Sequence, residues 1–339
     1  VLDVSKKLAN PKEVTEEDKV NVAVQQGLKE VITAIEESDE GIIHESLKWY
    51  GTRFEKTLDL AGEEVRLDTP EDDLFLTTVI GIQSQGAEVQ AQYNTAINSY
   101  NYYDENGTFD YRTSPNTGKP VVYSQNQKGK DVIVGGIQPG ALLINHKKLE
   151  SLIGKFGKEK AMNWLITKHT GKEIQEVLES VGLKRPAHIK VGGEYYGSRV
   201  FGRKIGNFIS NLAGKSDVAT YDRWWVRTWN RWLGTPTRMQ KGEEKVQESP
   251  RGNIEEDSMN EAIDNIAKTL TEATGYKFTP PAVQAVLWYY EKELYIKNDA
   301  RVPEGLDYLG AAESRAKEKG YATTPTGTKR DRRVTEQRI

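Results

Sequence analysis

The chain has 339 residues, of which 37% are hydrophobic and 29% charged, and its mean hydropathy of −0.67 is typical of a water-soluble protein with one large domain or two ordinary ones. It contains no cysteine, which excludes disulfides, thiol nucleophiles, iron–sulfur clusters and cysteine-bound zinc. The histidines form no H-x-x-x-H pair, and no apolar run approaches about 18 residues. We therefore expect no metal site, no cofactor, no signal peptide and no membrane-spanning segment.

The net charge of −3 conceals an asymmetry along the chain. Residues 1–75 contain 19 acidic and 9 basic side chains, a balance of −10, whereas residues 182–241 contain 12 basic and 3 acidic ones, a balance of +9. The central segment is therefore where a polyanion would bind. A solvated basic face without a partner is the alternative reading of the same charges.

The first predicted helices lie in the acidic N-terminal part. Residues 14–37 carry apolar side chains at spacings of three and four, which predicts an amphipathic helix, and a second helix is expected over residues 42–60. Thr69, followed by Pro70 and two acids, is typical of a helix start. The run from there to Gln83 is nearly all apolar, which predicts a central, buried helix.

Helical periodicity resumes after Gly86, over residues 87–103. It disappears over residues 109–140, where Pro, Gly and Asn alternate with two apolar stretches. This pattern predicts an irregular excursion with one short β-hairpin. Short helices are expected next, over residues 147–156, 158–169 and 172–181.

A glycine-rich basic turn then leads into a helix at Gly202, Arg203 and Lys204. Residues 205–212 place Ile, Phe and Leu on one side, which predicts a short helix with an apolar face. The amino end of such a helix presents unpaired amide groups and a positive dipole to an anion such as phosphate. A plain structural turn between helices has the same pattern, so both readings stay open.

In this region the chain resembles the helix-hairpin-helix DNA glycosylase superfamily, in its endonuclease III-like branch. The matching features are Gly202-Arg203-Lys204 before an apolar helix and Asp222 placed 18 residues after the lysine. Arg227 follows that aspartate, and the buried helix ending at Gln83 resembles the family helix that leads a DNA-contacting turn. The resemblance covers residues 70–233 and rests on the order of the motifs.

The resemblance implies a mainly α, two-layer, glycosylase-like fold with a helix-hairpin-helix element. One layer would contain the N-terminal helices and those after Asp222, and the other would contain residues 70–212. The family hairpin reads apolar-Pro-Gly-apolar-Gly, but residues 198–202 lack the proline and the first glycine. Val200 does not easily take a glycine's place at positive φ, so we expect a remodelled hairpin.

The resemblance also implies a function, namely DNA binding and base excision as a glycosylase/AP lyase. A target base would be flipped out of the duplex, Lys204 would attack the sugar and form a Schiff base, and Asp222 would assist it. Gln83 would fill the gap left by the base. The expected DNA-binding residues are Gln83, Arg199, Gly202, Arg203, Arg223 and Arg227.

Each of these residues also has a structural alternative. A lysine at a helix start, such as Lys204, is more often a phosphate contact or a solvent-facing side chain than a nucleophile, and Asp222 as a helix cap or a salt-bridge partner needs no catalytic role. Four tryptophans lie at helical spacing after Asp222, where core packing is their expected role and base stacking the alternative. They are Trp224, Trp225, Trp229 and Trp232.

The last third of the chain differs in character. After a polar linker, a helix is expected over residues 254–274, and Thr279-Pro280-Pro281 starts an aromatic helix that resembles a segment of large phage-encoded virion and antirestriction proteins. A polar, partly basic tail is expected over residues 315–339. The sequence thus divides into N-terminal acidic helices, a glycosylase-like core, C-terminal helices and the tail, over residues 1–69, 70–233, 234–314 and 315–339.

The second resemblance gives an alternative function: a non-catalytic phage structural or ejected protein that keeps the fold to bind DNA or other virion proteins. The expected partners are DNA and phage virion proteins. The expected location is the cytoplasm of a bacterial host or the interior of a phage particle.

Overall fold

The structure is a computed structural model, and it describes residues 14–37, 49–84, 88–134, 139–215, 217–240, 242–297 and 307–321. Within these ranges the chain is mainly helical, as expected, with twelve α-helices and seven short strands. The chain divides into two compact units. Unit 1 contains Val1–Tyr50 and Ser216–Val302, and unit 2 contains Gly51–Lys215 and Pro303–Ile339.

The elements follow one another along the chain with these bounds. The helices are α1 Glu16–Glu37, α2 Phe54–Ala61, α3 Pro70–Gln83, α4 Val89–Asn106, α5 Pro139–Phe156, α6 Lys158–Leu165, α7 Gly171–Ser180, α8 Arg203–Leu212, α9 Arg223–Trp232, α10 Asn253–Thr274, α11 Pro280–Lys297 and α12 Tyr308–Lys319. The strands are β1 Asp110–Thr113, β2 Pro120–Gln125, β3 Asp131–Ile133, β4 Lys168–Thr170, β5 Glu194–Tyr196, β6 Thr237–Gln240 and β7 Glu243–Val246.

The units group the chain differently from the four predicted segments. α1 packs with α10 and α11 in unit 1. Residues 51–69 belong instead to unit 2, although they were placed with the N-terminal helices. Much of the second expected helix, residues 42–48, lies outside the described residues.

The strands differ most from expectation. The predicted single hairpin over residues 109–140 is a three-stranded antiparallel sheet in the order β1-β2-β3. β1 reads DYRT, too short and polar to give a strand signal, and it forms by pairing with β2. Two further two-stranded ladders, β4 with β5 and β6 with β7, were not predicted.

Three helix boundaries are corrections. α5 begins at Pro139 rather than at residue 147, since proline is well tolerated in the first turn of a helix. α6 ends at Leu165 rather than at residue 169, because residues 168–170 pair with β5. The predicted tail begins inside α12, which Asp307 caps through the amide of Gly310; residues 322–339 lie outside the described part.

The core of unit 1 forms around the aromatic helix α9. Trp225, Trp229 and Trp232 are each at most 6% exposed and pack with side chains of α1 and α10. Gly27 in α1 permits this approach, because a Cβ there would lie 3.1 Å from the indole of Trp232 and still closer to Ile266. The expected core role of these three tryptophans is confirmed.

An ion network with two buried carboxylates joins three helices of unit 1. Arg231 of α9 donates to both carboxylate oxygens of Glu30 at 2.7 and 2.8 Å, and to Glu291 of α11 at 2.7 Å. Glu30 is 7% exposed and Glu291 only 1%. The network fixes the positions of α1, α9 and α11 because each carboxylate needs the guanidinium as a partner.

The core of unit 2 forms around α3, as the sequence predicted. Thr69 and Asp72 form a reciprocal capping box with Pro70 at the first helical position, and the helix ends at Gln83. Its central side chains are fully buried against α4 and α8. Gly81 allows α8 to come close, because a Cβ there would collide with Ile209.

α12 belongs to unit 2, where it packs on α2 and α4. Arg315 in this helix is ion-paired with Glu64 at 2.5 Å, and Asp307 at its start is ion-paired with Arg53 at 2.5 Å. The C-terminal helix is therefore an integral part of the unit.

Among the described residues, no helix combines the length and the apolar character that crossing a membrane requires.

Candidate nucleic-acid interface

The amino end of α8 in unit 2 begins at a glycine without a capping side chain. Gly202 has φ 121° and ψ 165°, a conformation that favours glycine, and it makes no side-chain cap hydrogen bond. The first backbone bond of the helix runs from the Gly206 amide to the Gly202 carbonyl at 2.9 Å. The amides of residues 203–205 precede it, and together with the helix dipole they favour an anion.

A 3-10 turn, Gly197–Phe201, stands where the hairpin was expected. Between the end of α7 at Ser180 and the start of α8 the chain forms β5 and this turn, rather than a short hairpin. Val200 is fully buried within it. Gly202, directly after the turn, is the residue that takes the positive φ, so the valine does not have to.

Three side chains hold the carbonyl groups of this turn. His188 Nε2 is 3.1 Å from the Arg199 carbonyl, Lys148 Nζ donates to the Val200 carbonyl at 2.8 Å, and Asn145 Nδ2 donates to the Phe201 carbonyl at 3.0 Å. Lys148 and Asn145 both come from α5. The turn is therefore fastened to the helix beneath it.

The first eight residues of α8 pack closely against the 3-10 turn Gly197–Phe201. The Ser198 hydroxyl lies 2.8 Å from both the Gly206 carbonyl and the Ser210 hydroxyl. At Gly206 a Cβ would lie 2.5 Å from Arg199 Cα and 2.6 Å from the Ser198 carbonyl oxygen. Glycine is thus required at this position for the turn and the helix to meet.

Positive side chains converge at this point. Arg199 is 4% exposed, and its Nη1 donates to Asn207 Oδ1 at 2.7 Å and to the Arg203 carbonyl at 3.2 Å. Burial, followed by the charges of Arg199, Arg203 and Lys148, lowers the pKa of His188 to about 4. Burial also lowers the pKa of Lys148. His188 is therefore neutral at pH 7, first because it is buried and second because cations lie near it.

Lys204 lies at the second position of α8. Its Nζ donates to the Ser84 carbonyl at 2.7 Å, directly after α3 ends. The side chain therefore links the start of α8 to the residue that follows α3. The predicted nucleophile is held in place at the edge of the core.

Gln83 lies inside unit 2 with only 2% exposure. Its Nε2 donates to Ser99 Oγ at 3.0 Å and lies 3.4 Å from His146 Nε2, while its Oε1 is buried with no hydrogen-bond partner. A contact between this side chain and DNA would require it to leave that position. The role inferred for Gln83 from the resemblance stays a prediction.

His146 should make the stability of unit 2 depend on pH. It is fully buried, and burial lowers its pKa to about 4, against about 6.5 in the unfolded chain. Between these two pKa values the unfolded chain therefore binds more protons than the folded chain. The contribution of His146 to the free energy of unfolding is complete above pH 6.5 and is lost as the pH falls toward 4. The full effect is about 3 kcal/mol.

The measurement is urea unfolding from pH 4.5 to 7, followed by hydrogen exchange of amides in α3 and α5. The His146→Gln variant should show a flatter profile than the wild type. His188 acts in the same direction in both proteins, so its contribution cancels in the comparison. Parallel profiles would show that His146 does not carry the linkage.

The remaining predicted residues lie in unit 1. Asp222 caps α9 by accepting a hydrogen bond from the Trp225 amide at 2.8 Å, so its structural alternative is confirmed. Arg223 is exposed, whereas Arg227 is ion-paired with Glu248 at 2.5 Å and lies 5.3 Å over the ring of Trp224. The predicted residues in unit 2 are Gln83, Arg199, Gly202, Arg203 and Lys204.

The structure adds Asn145, Lys148 and His188 to the candidate interface. His188 lies in the basic segment of the sequence, but its contact with the turn depends on the fold. Lys148 and Asn145 approach from α5, more than 50 residues away along the chain, and no local pattern marks them.

No group of three metal-ligating side chains occurs in the part of the chain that the structure describes. Comparisons with protein-family models, with curated proteins and with solved structures gave no match.

Proposed function

We propose that the chain binds DNA and that the amino end of α8 holds a phosphate of its backbone. The observation that carries this proposal is the convergence of Lys148, Arg199 and Arg203 at the turn before α8. Burial first, and then these charges, lower the pKa of His188. A cluster of cations around a helix amino end is suited to a polyanion.

The hydrogen bonds of the cluster support the proposal. Those of Lys148, Arg199 and Lys204 described above end on carbonyl and amide oxygens, which hold the side chains in position. The amides at the start of α8 add fixed positive dipoles at the same place.

The experiment compares the affinity for a DNA duplex of the wild type, Arg203→Gln and the matched control Lys128→Gln, an exposed lysine in the turn between β2 and β3. Arg203→Gln should weaken binding about tenfold and reduce the slope of log K against log salt by about one. Lys128→Gln should leave both unchanged. Equal effects of the two substitutions would reject the α8 site.

The finer form of the proposal is base excision. The Lys204 amine, after losing a proton, would attack the anomeric carbon, and the glycosidic bond would break with its electron pair on the base, which takes up a proton. Ring opening would then give the protonated Schiff base. The favouring observation is the fixed amine beside Ser84, although a phosphate contact fits the same geometry.

Borohydride trapping on abasic and damaged DNA tests this form. A covalent adduct is expected in the wild type and should be absent in Lys204→Gln, while the exposed-site control Lys128→Gln should retain it. No adduct on any lesion, with duplex binding intact, would leave a DNA-binding protein without this chemistry, as in the alternative phage virion role. Incorporation into particles would then favour that alternative.

A further inference from the structure

We propose that the β4–β5 ribbon of unit 2 carries a stacking site for an unpaired nucleobase, with the ring of His169 as its platform. This inference rests on the proposed function, because it names the form of nucleic acid that the unit prefers. It uses side chains other than those at the start of α8, so the two sites are tested separately.

The platform is a stack of rings. His169 and Trp164 have centroids 5.0 Å apart and planes only 20° from parallel. Trp164 is in turn backed by Gly197, where a Cβ would come within 2.7 Å of indole Cε3. Gly197 thus supports the indole on the inner side of the stack, and His169 is the outer member of the stack.

The orientation of His169 is fixed by two contacts. Its Nε2 lies 3.0 Å from the Trp164 carbonyl, and its backbone pairs with Tyr195 across the ribbon. The side chain is nevertheless only partly buried. One face of the imidazole contacts the indole, so a base would stack on the opposite face.

Exposed lysines lie at the ribbon. Lys168 is one of them, and its Nζ is 5.4 Å from the ring centre of Tyr196. Lys190 is exposed next to the ribbon, and its amide donates to the Tyr195 hydroxyl at 3.2 Å. These charges complement the phosphates of a strand.

An unpaired strand fits this surface better than a duplex does. Bases in a duplex already stack on one another and present their edges, whereas an unpaired base has a face to offer to an aromatic ring. Such stacking tolerates any base, because every base has a π face. The occupant is therefore single-stranded DNA or an unpaired nucleotide within a duplex.

The test uses fluorescence anisotropy with a 12-nucleotide strand and with the same backbone carrying abasic residues. The wild type should bind the base-bearing strand about tenfold more tightly than the abasic one. His169→Ala should remove this preference while leaving the abasic affinity unchanged, and His169→Phe should keep it. A 2-aminopurine in the strand should be quenched by the wild type and by His169→Phe, but not by His169→Ala.

The outcomes separate the two proposals. Equal binding of the two strands by the wild type, or equal loss on both strands in His169→Ala, would overturn the stacking site while the α8 site remained. No binding of any strand or duplex would overturn the proposed function and this inference together. If His169→Ala fails to fold, loss of the preference in His169→Leu, judged against His169→Phe, decides the same question.

Discussion

Replacing Arg315 by methionine should destabilise unit 2 by about 3–5 kcal/mol. The side chain of Arg315 is 3% exposed, and it donates to both oxygens of Glu64 at 2.5 and 2.6 Å. It also donates to the amide oxygens of Asn98 at 2.7 Å and Asn94 at 3.2 Å. Methionine fills much of the volume but leaves a largely buried carboxylate without its partner.

The measurement is urea unfolding of unit 2, with Lys317→Met as the matched control. Lys317 lies on the same helix and is exposed, so its substitution should change stability by less than about 0.5 kcal/mol. Adding Glu64→Leu to Arg315→Met should restore part of the loss, because no buried carboxylate then remains unpaired. A double variant as unstable as the sum of the two single variants would contradict this explanation.

Gly206→Ala should strongly destabilise unit 2. The added methyl would lie 2.5 Å from Arg199 Cα and 2.6 Å from the Ser198 carbonyl oxygen, and both belong to backbone that cannot rotate away. Separating α8 from the turn costs about 3 kcal/mol. The same displacement moves Arg199 and Arg203 apart, so DNA affinity should fall as well.

Gly154→Ala in α5 is the matched control, since nothing lies within 4 Å of a Cβ at that position. Alanine is the better helix former, and this substitution should stabilise unit 2 by about 0.5 kcal/mol. Thermal unfolding of the two variants checks the sign of each effect. Stabilisation by both substitutions would show that α8 does not press on the turn as described.

Local signals in the sequence predicted the parts of the fold that local physics determines. The start of α3 followed from Thr69 and Pro70, whose capping box needs only neighbouring residues. The burial of Trp225, Trp229 and Trp232 followed from their helical spacing. These features require no knowledge of distant residues.

Features that depend on long-range pairing could not be predicted from the sequence. β1 is polar and becomes a strand because β2 lies beside it. The end of the chain looked like a polar tail, but Arg315 is buried by its pairing with Glu64, 251 residues away. No pattern around residue 315 contains that information.

The site was predicted in part for the same reason. Gly202 and the basic residues after it marked the start of α8, and the structure places that start at Arg203. Gln83 is the last residue of the predicted buried helix, but its side chain lies in the core, where it contacts Ser99 and His146. Lys204 and Asp222 match the family spacing but lie in different units, where each makes a local structural contact.

Hydrogen exchange in the presence of a DNA duplex tests the central claim most directly, because it reports where the DNA lies. Exchange should slow at the amides of Arg203, Lys204 and Ile205, which precede the first backbone bond of α8, and this protection should disappear as salt is raised. The amides of α12 should be unaffected. Protection elsewhere in the chain, with these three amides unchanged at saturating DNA, would contradict the account.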